Sequence, residues 1–334
     1  MDAKLLRQDA ETSAKSDMEL QLIGPQRPGE TGFAARARFH QSWFRYHLLG
    51  LPRFGVTTHH SGGRALGCLL ALEDAANGYN FLSDAAKELY AERRRQGWGL
   101  DPVRTTTNMT SSQALTLNIM GPLRADKRWV TAVLSILLKE DLDTVDQISV
   151  EYNPPNKLKL TGDRTIIDGW IVAKTGTTTL STVIEVKYID RFNSRYIDVA
   201  TRKEYRRLAD TTGTWDLNTD LAKDRAINQL LRCHGTGVAV SQASQQTKTP
   251  KILVLHHPED PRARKIVHLY RQILRDPDLC IPVSLDALFQ LMHRTALCNQ
   301  QRELASSLTT RYLNYALSED AWLSYKASQL PPSV

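Results

Sequence analysis

Two hydrophobic periods divide this chain. From residue 33 to about residue 139 apolar positions recur every three or four residues, which predicts helices. Phe39, Trp43, Phe44, His47 and Leu48 mark the first; Leu66, Leu69, Leu70 and Leu72 begin a second run, and residues 81–95 form a third. A Gly-rich stretch over 50–63 interrupts them. The hydroxyl residues of Thr110-Ser111-Ser112 cap a short helix that Gly121-Pro122 is expected to end. Residues 126–139 read as an amphipathic helix with Trp129, Val133, Ile136 and Leu137 on one face.

After Asp141 the period falls to two. Strands are predicted over 148–152, 164–172 and 180–188, the last two forming a hairpin that turns at Thr175-Gly176. A helix over 221–232, a strand over 251–256, a helix over 261–275, a strand over 280–284 and a helical C-terminal part over 285–326 follow. The order α-β-β-β-α-β-α-β predicts an α/β sheet flanked by helices. Residues 1–30 are polar and read as a flexible tail, 31–125 as an N-terminal helical region, and 126–334 as the core with its C-terminal helices.

Composition removes several classes. With 41% hydrophobic and 24% charged residues the 334-residue chain has a globular balance, and no internal repeat is visible. The longest apolar runs, such as 130–138, are too short to span a bilayer. The start MDAKLLRQDAETSAKSD has no apolar segment, so no secretory signal is expected. Cys68, Cys233, Cys280 and Cys298 are scattered without a CxxC pair, which argues against zinc knuckles and dithiol redox chemistry and fits a reducing, cytoplasmic setting. Neither GxxxxGK[ST] nor HExxH occurs. The net charge of +7 points to an anionic partner, and nucleic acid is the commonest.

The sharpest chemistry lies in the hairpin, in Ile166-Ile167-Asp168-Gly169-Trp170 and Ile184-Glu185-Val186-Lys187. Residues two apart on a strand share a face, so Glu185 and Lys187 point together while Ile184 and Val186 point to the other side. The hairpin would bring Asp168 close to Glu185. Two carboxylates and an ammonium on an otherwise apolar sheet suit metal-dependent phosphodiester hydrolysis. Mg²⁺ takes one or two carboxylates and keeps several waters, polarises a phosphoryl oxygen and lowers the pKa of a bound water. Lys187 could orient that water or offset charge on phosphorus, and the Val186 carbonyl is a candidate further ligand. Glu-x-Lys alone is usually a solvated strand face.

Asp168 with Glu185-Val186-Lys187, in this element order, resembles the PD-(D/E)XK superfamily of restriction-endonuclease-like nucleases. Ser111-Ser112-Gln113 with Asn118 and Gly121-Pro122-Leu123, Asn80-Phe81-Leu82, Glu151-Tyr152 and Asn228-Gln229-Leu230-Leu231-Arg232 resemble a bacterial branch of it. The resemblance is patchy over residues 38–290. It implies a restriction-endonuclease-like mixed β-sheet core flanked by helices and an endonuclease acting on DNA, with RNA as the alternative substrate. It also implies Mg²⁺ (Mn²⁺ as a substitute) and a role in bacterial genome defence. Asp168 and Glu185 would hold the metal, Lys187 would be the catalytic lysine, and Glu151 is a further carboxylate candidate. No Pro precedes Asp168, a departure that many members share. Asp163 is a rival first carboxylate, but it sits in an expected turn.

Gln229 and Arg232, three apart on the following helix, share a face, and in similar nucleases a polar residue from this helix reaches the scissile phosphate. Gln113 could approach from the Ser-Ser-Gln helix. Residues 187–207 hold seven Lys/Arg and three Asp/Glu with Tyr188, Phe192, Tyr196 and Tyr205 interleaved. Arg191, Arg195, Arg202 and Lys203 could track a phosphate backbone there while the rings stack on bases. The run Arg93-Arg94-Arg95 reads as a solvated helix end. His59-His60 and His256-His257 look metal-like, yet adjacent residues on a strand face opposite ways. Double-strand scission usually takes two active sites, so a homodimer is an expectation, as is an activator or partner protein. The rival readings are a nucleic-acid-binding protein that does not cut and a regulatory interaction protein.

Overall fold

The computed structural model describes residues 16–57, 62–192 and 195–329. The N-terminal third contains α1 (16–23), α2 (Gly32–His47), the two-residue strands β1 (Gly55–Val56) and β2 (Ala65–Leu66), α3 (Leu72–Ala76), α4 (Asp84–Arg95), α5 (Pro102–Thr107), α6 (Ser112–Ala125) and α7 (Lys127–Leu138). Next come β3 (Thr144–Tyr152), the single turn α8 (Lys157–Leu160), β4 (Ile167–Thr175), β5 (Thr178–Lys187), α9 (Lys203–Thr212) and α10 (Asn228–Ala243). The chain continues through β6 (Lys251–His256), α11 (Pro261–Ile273), β7 (Cys280–Ser284), α12 (Leu285–Arg294), α13 (Asn299–Tyr312) and α14 (Glu319–Ser328).

Helix starts follow local chemistry. Side chains of Ser83, Asp101, Asp126 and Asp260 accept hydrogen bonds from backbone N–H groups in the first turns of α4, α5, α7 and α11. Pro102 and Pro261 stand in those first turns, where a missing N–H costs nothing.

The five strands form one mixed sheet in the order β3-β4-β5-β6-β7, antiparallel from β3 to β5 and parallel from β5 to β7. Alternation along the strands gives the sheet two apolar faces. Ile184, Val186, Leu253 and Leu255 join one core with residues of α4, α6, α7, α12 and α13. Val183, Ile252 and Val254 join a second with α9, α10 and α11. β5 is the middle strand, covered on both faces, so a polar side chain on it is buried unless the covering helices leave an opening.

A buried polar junction ties the N-terminal helices to α13. Arg311 donates to the carbonyl of Asn80 at 2.9 Å and also to the Asn80 side-chain oxygen. Asn118 accepts from the N–H of Leu82 at 2.8 Å and donates to the carbonyl of Asn80 at 3.1 Å and to the Tyr312 hydroxyl at 2.9 Å. Asn80, Leu82 and Asn118 therefore satisfy backbone and guanidinium groups where three segments meet.

Several expectations need correction. The helix at Ser112 runs through Gly121-Pro122 to Ala125. Gly121 lets it lie against α4, since a Cβ there would stand 2.7 Å from the Ala86 backbone, and the packing outweighs the proline. In α7 the buried face is Trp129, Val130, Val133, Leu134 and Leu138, and Ile136 is 55% exposed. The helix expected over 221–232 begins at Asn228 and continues to Ala243 through Gly235 and Gly237. Those glycines admit close neighbours: a Cβ would strike Tyr205 at the first and Val183 and Trp170 at the second. The first sheet strand starts at Thr144, earlier than expected, and the second spans Ile167–Thr175 in place of 164–172. The run from Leu66 is mostly not helical: Leu66 ends β2, and the helix that follows covers only Leu72–Ala76. Residues 16–23, read as part of a tail, are helical and Ile23 is buried. His59 and His60 lie outside the described residues.

The Gly121 contact yields a test. Gly→Ala inside a helix normally stabilises by about 1 kcal/mol. Here Gly121→Ala is expected to lower the unfolding free energy by about 1–3 kcal/mol, because the neighbour it strikes is backbone. Chemical denaturation measures the change, and a gain in stability would show that the two helices can part without cost.

Candidate active site

Register places three acidic residues in one row across the sheet. The pairs Val150–Gly169 and Tyr152–Ile167 put Glu151 of β3 opposite Asp168 of β4. The pair Gly169–Ile184 puts Asp168 beside Glu185 of β5. The hairpin thus brings Asp168 and Glu185 together as the alternation argument expected, and an Asp168 carboxylate oxygen accepts the Val186 N–H at 2.8 Å.

Glu185 is fully buried, and its two oxygens differ. Oε1 accepts from the Lys187 ammonium at 2.8 Å and from the Gln229 amide at 2.6 Å. Oε2 is buried without a hydrogen-bond partner. Lys187 is also buried and lies 5.1 Å from the centre of the Phe192 ring. Burial pulls its pKa down, but Glu185 and then Asp168 outweigh this and hold the ammonium above the ordinary lysine value. The Asp168 carboxyl is pushed up to about 7, first by burial and then by the charge of Glu185.

Glu151 is buried too, with φ of 44°, a left-handed conformation uncommon for a non-glycine residue. Its Oε1 also lacks a hydrogen-bond partner. Burial, and next the charge of Asp168, raise its carboxyl well above the ordinary value, while Gln113 and Arg93 work in the opposite direction. Gln113, in the first turn of α6, is thus a neighbour of Glu151, and its amide also bonds Thr105 at 2.9 Å and Gly99 at 3.3 Å.

Arg93 overturns the reading of a solvated helix end. It is 4% exposed and donates to the Glu151 carbonyl at 2.8 and 3.0 Å and to the Val150 carbonyl at 3.1 Å. The guanidinium clamps the backbone where β3 takes its unusual turn. Arg93 was missed because three consecutive arginines look alike in sequence; only the i+4 spacing from Leu89, another buried residue of α4, separates it from its neighbours. Cys233 was missed as well. It follows Gln229 by four residues on α10 and lies against the site, where burial and then the charges of Glu185 and Asp168 push its thiol well above the ordinary value.

Other expected residues stand elsewhere. Arg232 is buried and forms a two-pronged pair with Asp163, at 2.6 and 2.8 Å, and also donates to the Arg195 carbonyl. Its guanidinium is engaged within the fold, contrary to the expected nucleic-acid contact. Asp163 is the hub of the loop before β4, accepting also from Thr165 and from the Tyr205 hydroxyl at 3.0 Å. It is not placed beside Glu185. Tyr188, Phe192 and Tyr205 are buried, so of the rings after Lys187 Tyr196 alone keeps partial exposure, and the expected stacking by the others does not hold. Arg191, Arg195 and Lys203 are exposed, whereas Arg202 is half-buried and donates to the Gly162 carbonyl.

Among the described residues no group of three or more His, Cys, Asp or Glu side chains is arranged to hold a metal ion. A pair of carboxylates remains, Asp168 and Glu185. Burial first and then the Glu185 charge raise Asp168, and a cation placed there would relieve that cost and supply the Glu185 oxygen with a partner, so the donor set fits a hard divalent ion.

Comparison with known proteins gives one match. The family profile for the PD-(D/E)XK nuclease superfamily matches residues 28–314. No curated protein and no solved structure matches the chain.

The raised Asp168 pKa has a consequence for stability. A folded value of about 7 lies above the ordinary aspartate value of about 3.9, so the ionised group opposes folding. The penalty is complete above about pH 7, fades as pH falls, and vanishes below the unfolded value. In metal-free buffer Asp168→Asn should therefore melt higher than wild type at about pH 8, with a gap that narrows toward about pH 5. A melting temperature at or below wild type at the higher pH would contradict the repulsion.

Proposed function

The chain belongs to the PD-(D/E)XK nuclease superfamily, and from that premise we propose that it is a metal-dependent endonuclease with Asp168, Glu185 and Lys187 at its reacting centre. The observation that carries this reading is the one-sided coordination of Glu185. One oxygen is saturated by Lys187 and Gln229, and the other has no partner of ordinary hydrogen-bond geometry, with the Cys233 thiol lying against the carboxylate. A buried acceptor without a partner costs about 1–3 kcal/mol, which a fold keeps only where something else supplies the partner.

Asp168 and Glu185 would hold the ion, with the Val186 carbonyl and Glu151 as further candidates. A divalent ion bound there would supply Lewis acidity toward a phosphoryl oxygen and toward water. The protein's own part is positional and electrostatic. Glu185 and Asp168 hold Lys187 as an ammonium, which would orient the attacking water or donate to developing negative charge on phosphate oxygens. Gln229 fixes the Glu185 rotamer and keeps Oε2 directed away from the ion pair. From the N-terminal helical region Arg93 holds the Glu151 backbone carbonyl and Gln113 bonds its carboxylate.

DNA is the substrate we propose and Mg²⁺ the ion, with Mn²⁺ as a substitute. The net charge of +7 and exposed Arg191, Arg195 and Lys203, close in sequence to Lys187, support a polyanionic substrate.

Supercoiled plasmid incubated with the purified chain tests the reading. Nicking or linearisation should require Mg²⁺ or Mn²⁺ and stop on chelation. Lys187→Ala and Glu185→Gln should each lose about a hundredfold or more in rate while retaining the wild-type circular dichroism. Undiminished cleavage by either folded variant would remove these residues from the reaction.

A further inference from the structure

We infer that Trp98 is a stacking platform for an unpaired base of the nucleic-acid strand bound at the reacting centre. This deepens the nuclease reading and rests on it for the identity of the ligand.

Of the chain's six tryptophans, Trp129, Trp170 and Trp215 are buried and Trp43 and Trp322 are half-buried. Trp98 is 66% exposed. The loop that presents it is fixed. The Trp98 carbonyl accepts from Arg93 at 2.9 Å, and the same guanidinium holds the Glu151 carbonyl at 2.8 Å. One side chain therefore locks Trp98 to the acidic row. Gly99 follows with φ of 131°, and a Cβ there would strike Arg93 and stand 2.9 Å from Ile166, two residues before Asp168. The Gln113 amide donates to the Gly99 carbonyl at 3.3 Å.

The ring is backed by a cation. The Lys157 ammonium stands 5.1 Å from the indole centre and is itself anchored on the carbonyls of Arg164 at 2.9 Å and Thr165 at 3.2 Å. Lys157 is 8% exposed, so it supports the ring from the protein side and leaves the solvent side open. Arg94, Arg95, Lys159 and Arg164 are exposed nearby in sequence, and none forms an ion pair among the described residues. An aromatic face backed by a cation, with exposed and unpaired basic residues close in sequence, is the recognition chemistry of a single strand, whose phosphates meet cations while a base meets the ring. In an intact duplex each base face is covered by its neighbours. The occupant is therefore an unpaired or extruded base, and the favoured substrate carries one close to the cut.

Tryptophan fluorescence of the full-length wild-type chain in buffer containing EDTA, where no cutting is expected, gives the test. A single-stranded oligonucleotide should quench the emission and bind more tightly than a blunt duplex of the same sequence. Trp98→Ala should abolish most of the quench and weaken single-strand binding by about 5- to 150-fold, the range expected for one base stacked on an aromatic ring. Trp98→Phe should restore most of the affinity, and duplex binding should change less than twofold for either variant. Unchanged single-strand affinity in Trp98→Ala, or no quenching by either oligonucleotide, would overturn the inference. The two readings separate cleanly. Quenching in a chain that cuts nothing would sink only the nuclease reading, and plasmid cleavage with no effect of Trp98→Ala on single-strand binding would sink only this one.

Discussion

A buried ammonium bonded to one oxygen of a buried carboxylate is the constraint on which the rest of this molecule depends. Lys187 and Glu185 lie on the middle strand of a five-stranded sheet, at 5% and 0% exposure, where neither charge could stand alone. Each justifies the other, and the surplus negative charge of Asp168 and Glu151 is left over. The second Glu185 oxygen has no partner of ordinary hydrogen-bond geometry, Asp168 binds its proton more tightly than an ordinary aspartate, and Glu151 more tightly than an ordinary glutamate. The site stores unsatisfied negative character that a cation would neutralise.

The sheet alone does not make the site. Glu151 adopts a conformation that few side chains accept, and a residue so placed persists only when its surroundings over-determine it. Arg93 supplies that determination from α4, and Gln113 adds to it from α6. The N-terminal helices are joined to α13 by the Asn80–Asn118–Arg311 junction and share one apolar core with the sheet. On the other face, the Asp163–Arg232 pair ties the loop before β4 to α10, which fixes Gln229 over Glu185. Two residues with catalytic appearance in sequence thus serve as braces, and one that looked like surface charge holds the backbone beside the acids.

The legible part of the sequence was the part governed by short-range periodicity. The strands over 251–256 and 280–284 stand where their β-branched blocks placed them, and the hairpin turns at Thr175-Gly176. Asp168 and Glu185 meet because period two and one turn suffice to align them. What could not be read depended on contacts far apart in sequence. Gly121 reads as a helix end, yet it is, like Gly235 and Gly237, a place where another segment lies too close for a Cβ. Arg93 differs from Arg94 only in which direction its helix face looks, and Arg232 differs from Gln229 only in having Asp163 within reach. The basic stretch after Lys187 was legible as charge but not as packing, so three of its four rings turned out to be core.

If Asp168 and Glu185 together hold a divalent ion, anomalous scattering from a crystal of the protein soaked in Mn²⁺ will show a peak within about 2.5 Å of Glu185 Oε2 and of an Asp168 carboxylate oxygen, and Glu185→Gln will lose it. A fully occupied manganese elsewhere with none at these oxygens, or a peak that survives the substitution, would contradict it.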